Sequence, residues 1–207
     1  MDSREFLLDV EWISSGHGPE EVRQTAALLG ITFGRQVATS IQDDWSRSTS
    51  EKARLSAYPL ALWLASSWWR LRWEPAPGEE WKRGVSWRMA HEVAASGHGF
   101  IWPSLEFVSD GETVNVICQP TERRPTEPIR YLEGFHAAVS APQFEREIDA
   151  FLDLVLARLD VKGLNDTALH ALWREVRAER QDTHIAFARR LQACLGFDPD
   201  AAPEAAR

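Results

Sequence analysis

The chain has few cysteines and no apolar stretch long enough to cross a membrane. Its two cysteines, Cys118 and Cys194, lie far apart and outside any CxxC pattern, which argues against a disulfide scaffold or a cysteine-rich metal site. We expect both to be small buried residues of a cytoplasmic protein. A membrane-spanning helix needs about 20 mostly apolar residues, whereas the longest apolar run, from Tyr58 to Trp69, is shorter and ends at Arg70. The charged N-terminus lacks the pattern of a signal peptide, so no membrane association is expected.

An excess of basic residues is also missing. The formal net charge is −8 and the isoelectric point is near 5.3, whereas binding through phosphates normally needs a basic footprint. The motifs GxGxxG, GxxxxGK[ST] and GxSxG do not occur in the sequence, which removes the commonest signatures of nucleotide binding and serine hydrolysis. With 207 residues, 44% of them hydrophobic, the chain suits one well-cored domain, or a domain with a helical appendage.

Tryptophan, in contrast, is abundant. The sequence holds ten, so large aromatic side chains should dominate the core. Four of them stand in YPLALWLASSWWRLRWEP, between Pro59 in a first helical turn and Pro75 at the exit. Because this segment is apolar nearly all round, it is typical of a helix buried in the core.

Alternating patterns predict antiparallel strands in the first two thirds of the chain. EFLLDVEWI reads as a half-buried strand, and a hairpin is expected from about Thr25 to Ile41 around Gly34. The Asp110-Gly111 pair favours a second hairpin, and IRYLEGFHAAVS supplies one or two more strands. The polar stretch from Gln42 to Ser56 is interpreted as a connecting loop.

From Ser140 onwards the sequence changes to helical periodicity. One helix should start at Ser140 and Pro142 and end at Gly163, and a second should be capped by Asn165 or Asp166. A third should run from Asp182 to Gly196. The apolar stripe of the first helix is Phe144, Ile148, Phe151, Leu152, Val155 and Leu159.

These patterns predict an α+β fold. We expect antiparallel strands and hairpins with a buried Trp-rich helix, followed by a three-helix C-terminal segment. The predicted boundaries are 1–139 for a Trp-rich α+β domain, 140–196 for a helical segment packed on it, and 197–207 for a linker or disordered tail.

A catalytic signature is present only in broken form. His91-Glu92 begins like the zinc-peptidase motif HExxH, in which a second histidine at i+4 completes the metal site, but Ala95 occupies that position. His98 would reach the same metal only if the chain reversed at Gly97, because a straight helix separates residues seven apart by about 10 Å. A metal-dependent hydrolase therefore stays open as an alternative, beside the simpler interpretation that His91 is structural and no cofactor is bound. The residues of this alternative are His91, Glu92, His98 and Asp110, with zinc held by the histidines.

Arginines interleaved with tryptophans are the candidate binding residues. Stacking of bases on such side chains is a known mode of single-strand binding, although arginines that extend from a buried helix to solvent explain the same pattern. The candidates for ligand binding are Arg70, Arg72, Trp73 and Trp102. A nucleic-acid or nucleotide binder using Arg70, Arg72, Arg123 and Arg124 is the second alternative.

Three stretches together carry a family resemblance: YPLALWLASSWWRLRWEP, AHEVAASGHGFIWPSLEFVSDGE and ALWREVRAERQDTHIAFARRLQACLGFDPDAAPE. The chain, from about Trp12 to its end, resembles the N-terminal region of uncharacterised bacterial proteins that continue into a zinc metallopeptidase domain of the ImmA/IrrE type. Such peptidases commonly act on transcriptional repressors or belong to stress, prophage and toxin-antitoxin systems. The resemblance implies a non-catalytic recognition or regulatory module, whose partner is the attached or separate peptidase or its target. It transfers no catalytic residue, because the second histidine of the motif is missing.

Overall fold

The structure, a computed structural model, describes residues 6–14, 18–44, 46–73, 85–86, 103–109, 112–120 and 129–177. The strands are β1 Phe6–Trp12, β2 Ala26–Phe33, β3 Gln36–Val37, β4 Ile41–Asp43, β5 Ser48–Ser50, β6 Ala53–Ser56, β7 Val85–Ser86, β8 Ser104–Ser109, β9 Thr113–Gln119, β10 Ile129–Tyr131 and β11 Phe135–Ser140. The helices are α1 Glu20–Gln24, α2 Ala57–Trp73, α3 Ala141–Val161 and α4 Ala168–Arg177. All strand pairs within these residues are antiparallel, so the predicted mixed α+β fold is confirmed.

The first sheet is organised around β2. Strand β1 pairs along one side of it over its whole length, and β6 and β3 share the other side. The turn from β2 to β3 is at Gly34, whose φ of +62° is the left-handed conformation that glycine adopts without strain. Both β1 and the predicted hairpin around Gly34 are therefore confirmed.

The other two sheets have three and four strands among the described residues. In one, β4 lies between β10 and β5; in the other, the order is β11-β9-β8-β7. Ser109 pairs with Val114 across the predicted Asp-Gly turn, which confirms that hairpin, although residues 110–111 lie outside the described residues. The strands expected in IRYLEGFHAAVS are β10 and β11.

The expectation of a connecting loop from Gln42 to Ser56 was wrong. That stretch contains most of β4, all of β5 and all of β6. Strand β5 is exposed throughout, and in the short strand β6 only Ala53 and Leu55 are apolar residues on either side of an exposed one. Neither strand therefore shows the longer apolar alternation that identifies a half-buried strand. Pairing with β2 and β4 determines their conformation, since local propensity is weak there.

Helix α2 runs through the centre of the molecule. All side chains from Leu60 to Ser67 are buried, and the helix packs against the sheets on one side and α3 and α4 on the other. Trp63 contacts Phe107 of β8 with ring centroids 4.9 Å apart. Phe107 in turn contacts Phe144 of α3 at 4.9 Å, so aromatic rings connect the helices with the strands.

Helix α3 presents one face to this core. Ser140 precedes the helix, Gly163 follows it with φ +74°, and all six residues of the predicted stripe are buried. Phe144 stacks on Phe6 of β1 at 5.4 Å. The predicted stripe and both predicted ends of this helix are confirmed.

Helix α4 begins at Ala168. The residue immediately before it is Thr167, not Asn165 or Asp166 as expected from the sequence. The predicted third helix, from Asp182 to Gly196, and the tail after it lie outside the described residues. Buried side chains on both sides of the predicted boundary at residue 140 belong to one hydrophobic cluster, while the division into domains stays a prediction. Among the residues that the structure describes, no helix is both long and apolar enough to cross a membrane.

Candidate functional site

Few of the sequence-predicted site residues belong to the described part of the chain. Arg70, Arg72 and Trp73 lie in the last turns of α2, but only their backbone is described. The remaining candidates lie outside the described residues, so neither the metal site nor the nucleic-acid site is tested by the structure. These candidates are His91, Glu92, His98, Trp102, Asp110, Arg123 and Arg124. Within the described part of the chain, no group of three or more His, Cys, Asp or Glu side chains is placed to hold a metal ion.

Cys118 has the environment of a structural residue. It is buried on β9, and its thiol donates a hydrogen bond to the Glu133 carbonyl at 3.5 Å. Burial, with a smaller contribution from the charge of Glu133, raises the pKa of the Cys118 thiol to about 12. Because the thiolate is the nucleophile, the raised pKa disfavours reaction of this thiol at neutral pH. The burial of Cys118 confirms the expectation of a small buried residue.

A hydroxyl, an imidazole and a carboxylate meet where α3 ends and α4 begins. Thr167 Oγ1 lies 2.8 Å from His170 Nδ1, and His170 Nε2 lies 2.9 Å from Asp160 Oδ1. This Thr167–His170–Asp160 chain has the atom order of a nucleophilic triad.

The exposure of its members argues against acyl transfer by such a mechanism. Thr167, which would be the nucleophile, is only 8% exposed, whereas the Asp160 side chain is 54% exposed. A triad needs the reverse arrangement, because the hydroxyl must reach the substrate while the carboxylate orients the imidazole. Thr167 directly precedes α4, and its hydroxyl contacts the His170 side chain within the first turn of that helix. We therefore interpret the chain as a clamp between α3 and α4.

The outer face of α3 carries an apolar stripe that the core does not use. We define the outer stripe as Ala150, Leu154, Ala157 and Val161, which follow one another at spacings of four, three and four residues. All four are exposed, and Leu154 and Val161 are 42% and 80% exposed. Only one other large hydrophobic residue, Leu132, is comparably exposed among the described residues. The spacing is that of a heptad seam, in which two helices pack along one line.

Carboxylates lie along one edge of this stripe. The acidic flank consists of Asp149, Asp153 and Asp160, which are each within one helical position of the outer stripe. Helix α3 as a whole has five carboxylates against two arginines. Asp149 and Asp153 also take part in interactions of their own, and Asp160 bonds His170. The outer face of α3 is therefore apolar along its middle and acidic at one edge.

Side-chain contacts hold α3 firmly, so that its outer face is preorganised. Arg158 lies over the ring of Trp12 at 5.3 Å and donates a hydrogen bond from Nε to the Gln24 carbonyl at 3.1 Å. The buried face of α3 is called the inner stripe and consists of Phe144, Ile148, Phe151, Leu152, Val155 and Leu159. Together with these six residues, the contacts of Arg158 fix both the position and the rotation of the helix. A rigid helical face loses little conformational entropy when a partner binds.

The outer face of the first sheet is a less favourable surface. Lys52 reaches across Gly30 to form an ion pair with Asp9 at 2.8 Å and lies 3.7 Å from Glu11. A Cβ at Gly30 would make only ordinary van der Waals contacts with Asp9 and Lys52, so the ion pair does not depend on the glycine. The charges of Lys52, Asp9 and Glu11 on this face of the sheet are already paired with one another. Exposed pairs of this kind contribute little energy.

The outer stripe is present in the sequence, but the more hydrophobic inner stripe of the same helix makes it hard to recognise there. The inner stripe of α3 contains large aromatic and aliphatic residues, whereas two members of the outer stripe are alanines. Alanine is common on solvent-exposed helix faces because of its high helix propensity, so the pattern becomes meaningful only once Leu154 and Val161 are seen to be exposed.

Comparison of the chain with models of known protein families, with curated proteins and with solved structures finds no match.

Proposed function

We propose that this protein is a non-catalytic recognition module that binds another protein through the outer face of α3. The observation that carries the proposal is the outer stripe, with Leu154 and Val161 exposed on a helix whose opposite face is fully packed. Exposed apolar residues are common singly. Here they recur at heptad spacing on one rigid helix, which is the arrangement of a helix-packing surface.

The acidic flank indicates the chemistry of the partner. A helix with its own apolar stripe and with arginine or lysine beside it would complement both the shape and the charge of α3. Apolar contacts along the stripe would supply affinity, and the charges would favour one orientation over the other.

The family resemblance suggests which protein this partner is. We propose a metallopeptidase of the ImmA/IrrE type, attached to the chain or separate from it, or the target of such a peptidase. The finer architecture belongs to the same proposal: a buried Trp-rich helix, followed by a C-terminal segment of three helices of which α3 is the first. Recognition would then reside in the helical segment, with the Trp-rich part as its support.

A binding titration with exposure-matched variants tests the proposal. The native chain and a Leu154→Asp variant are titrated with an ImmA/IrrE-type metallopeptidase from the same genome by isothermal calorimetry. We expect Leu154→Asp to weaken binding at least ~10-fold, which corresponds to about 1.4 kcal/mol, because a buried charge replaces an apolar contact.

Leu132→Asp is the matched control, since Leu132 is 39% exposed against 42% for Leu154 and does not lie on α3. This variant should bind as the native chain does. Far-UV circular dichroism establishes that both variants are folded. Equal binding by all three chains, or no binding by the native chain, would contradict the proposal.

A further inference from the structure

Strand β1 forms one edge of the first sheet. It pairs with β2 over all of its 7 residues, and no strand of the described residues pairs with its other side. Of the strands that lie at sheet edges in the described part of the chain, β1 is the longest. Its register with β2 runs without a bulge from Phe6 to Trp12. A long, regular edge of this kind is a template for pairing with another extended chain.

Hydrogen bonding to β2 determines which backbone groups of β1 point away from the sheet. Just beyond β1, Ile13 donates its backbone N–H to the Ala26 carbonyl at 2.9 Å. In an antiparallel pair, such hydrogen-bonded positions alternate with positions whose N–H and C=O point to the other side. Counted back from Ile13 in steps of two, the odd-numbered residues of β1 bond β2. The backbone N–H and C=O groups of Leu8, Val10 and Trp12 therefore point outwards along the edge.

The side chains of the same three residues are only partly covered. Leu8, Val10 and Trp12 pack against the core but are half-buried, whereas Ile31 and Leu29, which lie opposite Leu8 and Val10 on β2, are buried. A strand added beside β1 would cover the remaining apolar surface on the core side of the sheet. Backbone hydrogen bonds and apolar burial would thus act together at this edge, as they do when a peptide adds a strand to a sheet.

The alternate side chains of β1 determine which charge an added strand should carry. Asp9 and Glu11 point to the opposite face of the sheet, are 50% and 63% exposed, and share the single ammonium group of Lys52. Two carboxylates against one ammonium group leave a net negative charge beside the edge. Side chains directly opposite each other in neighbouring strands are about 5 Å apart. Lysine or arginine at alternate positions of an added strand would therefore complement Asp9 and Glu11.

A second copy of this chain does not meet that requirement. If β1 paired with itself about a two-fold axis over its full length, Leu8 would lie opposite Val10 of the other copy. Asp9 would then lie opposite the other copy's Asp9. Like charges directly opposite each other destabilise a strand pair. The charges of β1 therefore favour a different and basic chain.

We infer that the edge of β1 binds an extended segment of another protein, which joins the first sheet as an additional strand. The bound segment has apolar residues towards the core and lysine or arginine towards Asp9 and Glu11. This site does not involve the outer stripe of α3, so it is present whether or not α3 binds a partner.

Amide hydrogen exchange of the native chain, followed by NMR, tests whether the edge is open. We expect the amides of Leu8, Val10 and Trp12 to exchange at least ~10-fold faster than those of Asp9 and Glu11, which bond β2. Equal protection of the two sets would overturn the inference, because the outward N–H groups would then already be bonded within the chain.

Binding is tested with a fluorescein-labelled synthetic peptide of alternating valine and lysine. Fluorescence anisotropy at low salt measures its affinity for the native chain and for a Val10→Pro variant. Proline at this position removes an outward N–H without removing a hydrogen bond to β2, and proline is tolerated where the N–H faces away from the sheet. We expect Val10→Pro to weaken binding at least ~10-fold. Val10→Ala keeps the N–H and should weaken binding less.

A peptide of alternating valine and glutamate is the control for charge, and it should bind at least ~10-fold more weakly than the lysine peptide. Far-UV circular dichroism establishes that Val10→Pro is folded, and Leu8→Pro makes the same change at the neighbouring outward position if it is not.

The inference would be overturned if the native chain did not bind the lysine peptide, or if a folded proline variant bound it equally well. Equal affinity for the two peptides would contradict the assigned charge. Self-association of the native chain that Val10→Pro abolishes would assign the edge to a second copy instead. None of these results affects the calorimetric test of the outer stripe, which uses Leu154→Asp on another element.

Discussion

At the scale of single residues, Trp63 and Trp68 of α2 are expected to contribute unequally to stability. Trp63 is 5% exposed and contacts Phe107, whereas Trp68 is only partly buried and lies beside Trp173 at 5.4 Å. We expect Trp63→Ala to lower the free energy of unfolding by about 3–5 kcal/mol, as for a large aromatic removed from a core. Trp68→Ala should cost about 1–2 kcal/mol. Urea unfolding followed by far-UV circular dichroism measures both.

Trp63→Phe supplies a milder variant, should Trp63→Ala not fold at all. It keeps an aromatic ring against Phe107, so its loss of stability should be smaller than that of Trp63→Ala. An equal loss in the free energy of unfolding for Trp68→Ala and Trp63→Ala would contradict the expectation that burial determines the contribution of each tryptophan. The sequence alone makes both tryptophans residues of a helix buried in the core. It does not show which tryptophan meets a strand, since that depends on contacts distant along the chain.

The clamp between α3 and α4 is the clearest target at the scale of elements. Thr167→Val keeps the shape of the side chain but removes the hydroxyl that contacts His170. We expect a loss of about 1 kcal/mol in the free energy of unfolding, the usual net contribution of one intramolecular hydrogen bond. Chemical denaturation at pH 7 provides the measurement.

Thr49→Val makes the same chemical change on exposed β5, and it should stay within about 0.5 kcal/mol of the native chain. His170→Ala combined with Thr167→Val should cost little more than His170→Ala alone, because both remove the same contact. Strict additivity of the two would show that the hydroxyl and the imidazole do not act together.

The elements were predictable from sequence where their side chains face the core alternately or at helical spacing. Strand β1, the hairpin at Gly34 and the inner stripe of α3 all have that property. Strands β5 and β6 do not, because their conformation comes from pairing with neighbours rather than from their own pattern. The outer stripe was missed for a related reason: exposure, not composition, distinguishes Leu154 from an ordinary surface leucine. A site of this kind becomes visible only when the helix is seen with its inner face packed.

At the scale of the whole molecule, one core joins strands and helices, so local substitutions should affect global stability. Phe6 stacks on Phe33 within the first sheet and on Phe144 of α3, and Phe33 meets Phe107 and Phe135 of the β11-β9-β8-β7 sheet. Both sheets and α3 therefore share the same apolar interior. Groups buried in this interior link the stability of the fold to pH.

Alkaline conditions should destabilise the protein through Cys118 and Tyr131. Burial raises the pKa of the Cys118 thiol from about 9 to about 12 and raises the pKa of the Tyr131 hydroxyl above its ordinary value near 10. Both groups thus stay protonated when folded at a pH where the unfolded chain has begun to lose these protons. Stability is fully present below the unfolded values and falls as pH rises, by up to about 1.4 kcal/mol per pH unit for each group.

Urea unfolding between pH 7.5 and 10.5 measures this dependence, with Cys194→Ser in all chains so that Cys118 is the one thiol present. We expect the free energy of unfolding to begin to fall near pH 9 with Cys118 in place, and near pH 10 in a Cys118→Ala variant, in which Tyr131 still titrates. The onset should move because the substituted alanine has no proton to lose, although the variant is less stable at every pH owing to the cavity. The same onset in both chains would mean that the Cys118 thiol ionises as readily in the folded protein as in the unfolded chain. Burial within the shared core would then not raise the pKa of the Cys118 thiol.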